Sequence, residues 1–412
     1  MEDRRGGDGA VKLRGLTAFL IGSMLLLTAA DIPSVSRSEA KPFLPPAPSP
    51  QEGGLISGLV ETIQQGDLDQ ALESLSDVVH GQPNFRLAQL VYADLLMARS
   101  GQLSGFGNGG PGELVDGLRQ EAQMRLRRYL VTPPEQALPA NLLQLPEGVS
   151  TALLFDVQAY RMYLLRRQGD GLARGKDYYI SIGKGGTDKQ SEGDDKTPIG
   201  VYHVASYLPG TQLPDLYGVG AFPTTYPNPW DRRLGRTGSG IWIHGTEFET
   251  YSRPPLSSRG CLTLSNQDFL ALMQDVEIGR TPVIVSRGVD WRDPSSLARE
   301  RETVRNALDQ WRKDWESLDT DRYLSHYSRD FRSEEGSRQA FAAHKRRVNE
   351  TKQFVRVALR EVGIYRYPGE EGLILVEFLQ DYRSSNLSSQ RRKHQYWREE
   401  AGGLKIVFEA GS

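Results

Sequence analysis

At Ser150 the apolar period of this chain changes from helical to extended, and that switch constrains its fold more than any other feature. Before it, over residues 55–100, apolar residues recur at three- and four-residue spacing, which predicts two helices separated by a turn at 81–83. After it, Leu153, Phe155 and Val157, then Tyr160, Met162 and Leu164, alternate as two short strands. Further strands are predicted in YYISIG (178–183), GVYHVAS (200–206), IWIHG (241–245) and PVIVS (282–286), so that 150–287 reads as a mostly β domain. Its loops at 183–197 and 208–237 are longer than turning the chain requires, which marks a binding cleft.

A second change of period follows. Asp293 and Pro294 form an N-cap and first-turn pair, and Val304, Leu308, Trp311, Trp315 and Leu318 make one apolar stripe on the helix behind them. The chain then turns to strands in FVRVALREV, LILVEFLQDY, HQYWRE and LKIVFE, giving an α+β domain with a curved antiparallel sheet over 293–412. The 412 residues therefore divide into several units, in keeping with roughly 150 residues per domain. With 50 basic against 52 acidic side chains there is no basic footprint for nucleic acid, and 38% hydrophobic residues exclude a polytopic membrane protein.

At the N-terminus, Arg4, Arg5, Lys12 and Arg14 precede an uncharged, mostly apolar run at 15–30. That run is shorter than the ~20 residues of a comfortable membrane-spanning helix. It is read as a secretory signal over 1–30, cleaved after Ala30 or as late as Ala40, with an uncleaved anchor as the competing reading. Residues 31–54 are rich in proline and small residues and are expected to form an extended tether before a helical region at 55–131. A proline-bearing linker is expected at 132–148.

The chemical signal is IWIHGTEFETYSRPPLSSRGCLTLSN at 241–266. Cys261, the one cysteine of the chain, lies seventeen residues after His244. A thiol attacks as thiolate, and its usual pKa of about 8.5 falls beside an imidazolium or a guanidinium. His244 and Arg259 supply one candidate of each. Gly260 lets a carbonyl approach closely, and the amides of Gly260 and Cys261 are candidates for stabilising an oxyanion. On these residues alone, an inert buried cysteine beside Leu262 and Leu264 stands next to the catalytic reading.

Other candidates point elsewhere. The GKGG at 183–186 lacks P-loop spacing and reads as a hairpin loop, and Glu192, Asp194 and Asp195 follow no EF-hand pattern and read as a solvated loop. His203 in its strand reads as a structural histidine, with a place on the cleft as the alternative. Lys345, Arg346 and Arg347 read as a solvated basic face. No paired Cys/His spacing suggests a metal, and no cofactor is implied.

Three stretches carry a resemblance that sharpens this: LLFDVQAYRMYLL, SIGKGGTDKQSEGDDKTPIGVYHV, and the His-Gly to Ser-x-Gly-Cys segment. Together they make 150–287 resemble the L,D-transpeptidase (YkuD) catalytic domain, a β-sandwich-like fold acting on peptidoglycan. The resemblance implies Cys261 as nucleophile, His244 as its base, and the Gly245 carbonyl as the group orienting the imidazole. Ser258 and Gly260 match the small residues before the cysteine. Arg259 stands where many members have a second histidine, implying a part in thiolate tuning or substrate carboxylate binding, unless it is merely a solvated residue. Asn266 lies beyond the family's usual motif.

Residues 309–409 resemble the nuclear-transport-factor-2-like (NTF2-like, SnoaL-like) cone, on Trp311, Trp315, Tyr323, Tyr327, Phe331, Gln380, Tyr382, Trp397, Lys405, Ile406 and Glu409. That fold hosts enzymes and passive modules alike. Gly66, Ala71, Leu75, Val78 and Pro83 resemble one tetratricopeptide hairpin, beside the reading of an ordinary helical hairpin. The implied protein is a periplasmic enzyme of a Gram-negative-type cell. It acylates Cys261 at the third residue of tetrapeptide stems, releases D-alanine, and passes the acyl group to an amine or, as an L,D-carboxypeptidase, to water. A non-enzymatic binding protein is the competing class. Expected partners are stem peptides and a protein met through the helical or NTF2-like region, with membrane contact only through an uncleaved signal.

Overall fold

The computed structural model describes residues 50–60, 67–107, 110–169, 171–334 and 336–411. The expected signal and residues 31–49 of the expected tether lie outside these. The tether's last residues are not extended, for Pro50–Val60 is a helix, α1, packed on α2 (Leu68–Gly81). A Cβ at Gly54 would stand 2.3 Å from Val78 Cγ2, and one at Gly58 2.7 Å from Leu75 Cγ. Gly54, expected in the tether, and Gly58, expected in the helical region, thus form one close helix seam. Helices α3 (Arg86–Arg99) and α4 (Gly112–Leu130) complete the region around Leu55, Leu75, Phe85, Val91 and Leu118. None of the helices in the described residues is long and apolar enough to cross a membrane.

The expected linker at 132–148 is also built into the fold. Leu138–Pro139 pairs with Trp291–Arg292, and Leu142–Gln144 adds an edge strand to the C-terminal sheet. Its Leu138, Leu142, Leu143 and Leu145 are buried, which explains why the segment is fixed despite its prolines.

The middle of the chain is a sandwich. A five-stranded sheet runs in the order Gly171–Tyr179, Arg161–Gln168, Thr151–Asp156, Pro282–Ser286, Gly200–His203. A four-stranded sheet runs Leu262–Thr263, Trp242–His244, Gly220–Pro223, Leu208–Pro209. Leu153, Phe155, Met162, Leu164, Val283 and Val285 of the first meet Phe222, Ile243, Leu262 and Phe269 of the second layer, the last from helix α5 (Asn266–Met273). The opposite face of the five-stranded sheet, with Leu154, Tyr163, Leu165 and Ile284, is covered too, by Tyr365, Leu375, Tyr396 and Phe408 of the C-terminal sheet. Every residue of Thr151–Asp156 is therefore buried, as in strands covered on both faces.

Asp293 caps helix α6 (Pro294–Glu316), its carboxylate accepting from the Ser295 amide at 2.8 Å, and Val304, Leu308, Trp311 and Trp315 are buried. The seven-stranded cone sheet is antiparallel except where Tyr327–Ser333 runs parallel to Gly403–Gly411. One basic residue read as solvated is turned inward: the Lys345 ammonium lies 4.8 Å from the Trp315 ring and 5.1 Å from that of Phe341. An aromatic cage and the buried Glu409 carboxylate offset its loss of water. Arg346 and Arg347 remain exposed.

Candidate active site

Strands Trp242–His244 and Leu262–Thr263 run parallel, with Ile243 opposite Leu262 and His244 opposite Thr263. One step back in this register Cys261 faces Trp242. Because side chains alternate along a strand, Cys261 and His244 share one face of the ladder, a diagonal step apart. The approach to Cys261 requires glycine: Gly260 has φ +114°, and a Cβ there would lie 2.7 Å from the Lys196 carbonyl oxygen. The Thr197 hydroxyl, from the Lys-Thr-Pro turn, donates to the Gly260 carbonyl at 3.0 Å and accepts from the Gly183 amide at 2.9 Å. Ser258 Oγ donates to the Cys261 carbonyl at 2.7 Å and accepts from the Gly260 amide at 3.1 Å. Of the two amides expected to face an oxyanion, that of Gly260 is therefore already engaged.

His244 is buried, and its Nδ1 lies 2.6 Å from the Gly245 carbonyl oxygen. A carbonyl only accepts, so Nδ1 carries the hydrogen and the lone pair sits on Nε2. Burial pushes the imidazole down to about 4, with the Arg253 guanidinium adding to the effect, so the ring is neutral near pH 7. Cys261 is partly exposed and its thiol donates to the Gly240 carbonyl at 3.5 Å. Burial raises its pKa, while a backbone hydrogen bond to Trp242, then Arg253 and Lys189, act in the other direction. The resting pair is thus thiol and neutral imidazole rather than a preformed ion pair.

Arg253 and Lys189 were not singled out by sequence reasoning. Arg253 had a signal, being the other cation between His244 and Cys261 besides Arg259. It is buried, with Nε on Thr246 Oγ1 at 3.1 Å and Glu247 Oε2 at 2.8 Å, and Nη2 on the Leu216 carbonyl at 2.7 Å. Arg259 is exposed, and its field acts on Tyr217. Lys189 is buried against Asp194 Oδ1 at 2.8 Å, and Asp194 also accepts the amides of Gln190 and Ser191. Asp194 therefore organises its loop instead of lying free in solvent, and Asp195 is paired with Lys184 at 3.1 Å.

The 208–237 segment, expected to be one long loop bordering a cleft, holds the strands Leu208–Pro209 and Gly220–Pro223 and a short helix at Pro229–Arg233, and between the strands it brings the Tyr217 ring 5.0 Å from the His244 ring and 4.9 Å from that of Trp242. The helical hairpin meets the far side: the Tyr251 amide donates to the Asn84 carbonyl at 3.0 Å, and the Phe85 and Tyr251 rings are 4.4 Å apart. The GKGG segment is a tight turn closed by Gly186 N–H to the Gly183 carbonyl. His203 lies away from this site, paired with Glu377 of the cone at 3.2 Å. Among the described residues no group of three His, Cys, Asp or Glu side chains is arranged to hold a metal ion.

Residues 150–285 match the model of the L,D-transpeptidase catalytic domain, and residues 303–410 match that of the Cds6 C-terminal NTF2-like domain. No curated protein matches the chain by sequence. Among solved structures it is similar to Bd1075 of Bdellovibrio bacteriovorus, at 28% identity over 67% of this chain and 98% of that one, with a TM-score of 0.58. It is also similar to the helical cell shape determining protein Pgp2 from Campylobacter jejuni, at 25% identity over 66% of this chain and 94% of that one, with a TM-score of 0.56. The chain therefore carries an L,D-transpeptidase catalytic domain of the YkuD family followed by a C-terminal NTF2-like domain.

Proposed function

We propose that this protein is a peptidoglycan L,D-transpeptidase with Cys261 as nucleophile. The observation that carries the reading is the 2.6 Å contact between His244 Nδ1 and the Gly245 carbonyl, which leaves a basic Nε2 on the same ladder face as the thiol. Nε2 takes the thiol proton as sulfur attacks the carbonyl carbon of the third stem residue. The Cys261 amide, rather than that of Gly260, faces the developing oxyanion. The C–N bond breaks, the imidazolium returns its proton to the departing D-alanine amine, and a thioester remains. An amine of a second stem attacks the thioester and regenerates the thiol. The basic segment ahead of residues 15–30 and a substrate outside the cytoplasm support a periplasmic location.

A second reading has water as the acceptor, giving an L,D-carboxypeptidase. The partial exposure of Cys261 favours it, since nothing about an open thioester keeps water out. Purified protein incubated with disaccharide tetrapeptides, resolved by mass, tests both. A thioester adduct that vanishes in Cys261→Ala is expected. Cross-linked dimers support transfer to an amine and tripeptide monomers transfer to water. Absence of any adduct or product with tetrapeptide substrates rejects the enzyme and leaves the binding-protein reading.

A further inference from the structure

The turn after Tyr217 and the segment that follows the His244 strand are joined by one side chain from the element after the proposed nucleophile. Asn266 is the first residue of α5, whose N-cap Ser265 accepts from the Asp268 amide at 3.1 Å, so its backbone is anchored five residues beyond Cys261. Its Oδ1 accepts from the Val219 amide at 3.1 Å and the Thr246 amide at 3.2 Å, while Nδ2 donates to the Thr246 carbonyl at 2.8 Å. The same Oδ1 would lie 2.1 Å from a Cβ at Gly218 and 2.1 Å from one at Gly245. Asn266 is thus seated against two glycines. One follows Tyr217, whose ring meets the imidazole, and the other supplies the carbonyl that orients His244. The amide uses its acceptor twice and its donor once, all on backbone, which leaves it structurally committed and places it outside the reacting atoms.

We infer that Asn266 is a positioning residue: it holds the Gly245 carbonyl and the Tyr217–Val219 turn in register, and through them fixes the tautomer and plane of His244 against Cys261. The role of that pair rests on the acyl-transfer reading, but its geometry does not. Asn266→Asp keeps the size and both acceptor contacts while setting a carboxylate oxygen against the Thr246 carbonyl. Asn266→Ala removes all three bonds. A misplacement of about 1 Å in such a constellation lowers turnover on the order of 100-fold.

The chain has one cysteine, so alkylation by iodoacetamide reads the Cys261–His244 pair without background. The full chain and both variants are followed for alkylation rate against pH, for thioester formation from tetrapeptide, and for the denaturant midpoint. The expected result is a displaced alkylation profile in both variants and a kcat lowered roughly 10- to 100-fold at unchanged KM, with cooperative unfolding retained. A wild-type alkylation profile in folded Asn266→Asp overturns the inference, as does a kcat equal to wild type. If Asn266→Ala does not fold, Asn266→Asp alone decides. A wild-type protein that acylates no tetrapeptide yet shows a displaced profile in the variants defeats the enzymatic reading and leaves the positioning role standing.

Discussion

In the proposed mechanism the Gly245 carbonyl stands on His244 where a triad would have a carboxylate. The Gly245 carbonyl fixes the tautomer without adding a charge that would hold the ring protonated. Burial then lowers the imidazole to about 4, so the base is available well below neutrality. Two consequences follow, both on the acid side. The kcat/KM for acylation is expected to hold its plateau at pH 6 and to fall only toward pH 4, where an unburied histidine would already have lost half its base near 6.5. For stability, the unfolded ring binds a proton near 6.5 and the folded ring near 4, so stability is full above 6.5 and is lost as pH falls toward 4. Urea unfolding between pH 7.5 and 4 is expected to show a loss of about 2–3 kcal/mol that is smaller in His244→Asn. A pH dependence identical in the two proteins contradicts this. Cys261, His244 and Gly245, the core of the proposed site, could be singled out in the sequence because they lie in one continuous segment. Arg253 lies in that same segment but is marked only by its buried contacts, whereas Lys189 and Tyr217 come from other loops, as does the Val219 amide that meets Asn266 across 47 positions of chain.

Helix α1 is the element that sequence composition concealed. Gly54 was expected in the tether and Gly58 at the start of the helical region, and only contact with Val78 and Leu75 gives the two, four residues apart, the role of a helix seam. The helix also carries Glu52, which is 1% exposed and accepts from Arg161 Nη1 at 2.8 Å and lies 3.3 Å from Arg125 Nη1. Arg161 and Arg128 in turn hold Asp177, whose carboxyl they keep below its ordinary range against the opposing effect of burial, and Arg125 holds Glu121 at 2.9 Å. Three guanidinium groups and three carboxylates thus join the helices to the strands Arg161–Gln168 and Gly171–Tyr179. Such a cluster adds little over an apolar seam of the same volume, but removing one member leaves the others buried without full compensation, at roughly 3–5 kcal/mol. Glu52→Ala is therefore expected to loosen the helical region before the sandwich melts. Limited proteolysis that cuts within 50–130 while sparing 150–285 checks it, and a pattern unchanged from wild type rules it out. The same helices brace the loop after His244 through Asn84 and Tyr251, so this variant should also slow Cys261 alkylation.

At the scale of the molecule, the five-stranded sheet is the middle of three layers, and this sets what the NTF2-like domain does for the fold. Intrachain domain interfaces are ordinarily polar enough to allow relative motion. Here Leu154, Tyr163, Leu165 and Ile284 on one side meet Tyr365, Leu375, Tyr396 and Phe408 on the other, and Trp230 stacks on Tyr396 with ring centres 5.0 Å apart. The segment leading into Ser150 contributes Leu142–Gln144 to the cone's own sheet, so the chain entering the sandwich is fixed to the cone by a strand as well as a shared core. A polar fastening lies at the rim of the same seam. Glu377 of the cone is bracketed by His203 of the sandwich at 3.2 Å and His394 at 3.4 Å, and these imidazoles with Arg392 bring its carboxyl down to about 2 against the cost of burial. The period switch at Ser150 announced a β domain, but alternation alone could not show that its strands are covered on both faces, because the cover comes from residues two hundred positions later. Ending the chain at Arg292 would expose that face and leave Leu142–Gln144 without a partner strand. Burial at about 25 cal/mol per Å² makes several large apolar side chains worth more than the whole margin of a typical domain. The truncated chain is expected to be insoluble or to bind a hydrophobic dye strongly, and the separately expressed 293–412 piece is not expected to rescue it unless residues 138–148 are supplied with it. A soluble truncation with wild-type Cys261 alkylation would show the cone to be a dispensable module rather than the third layer of the fold.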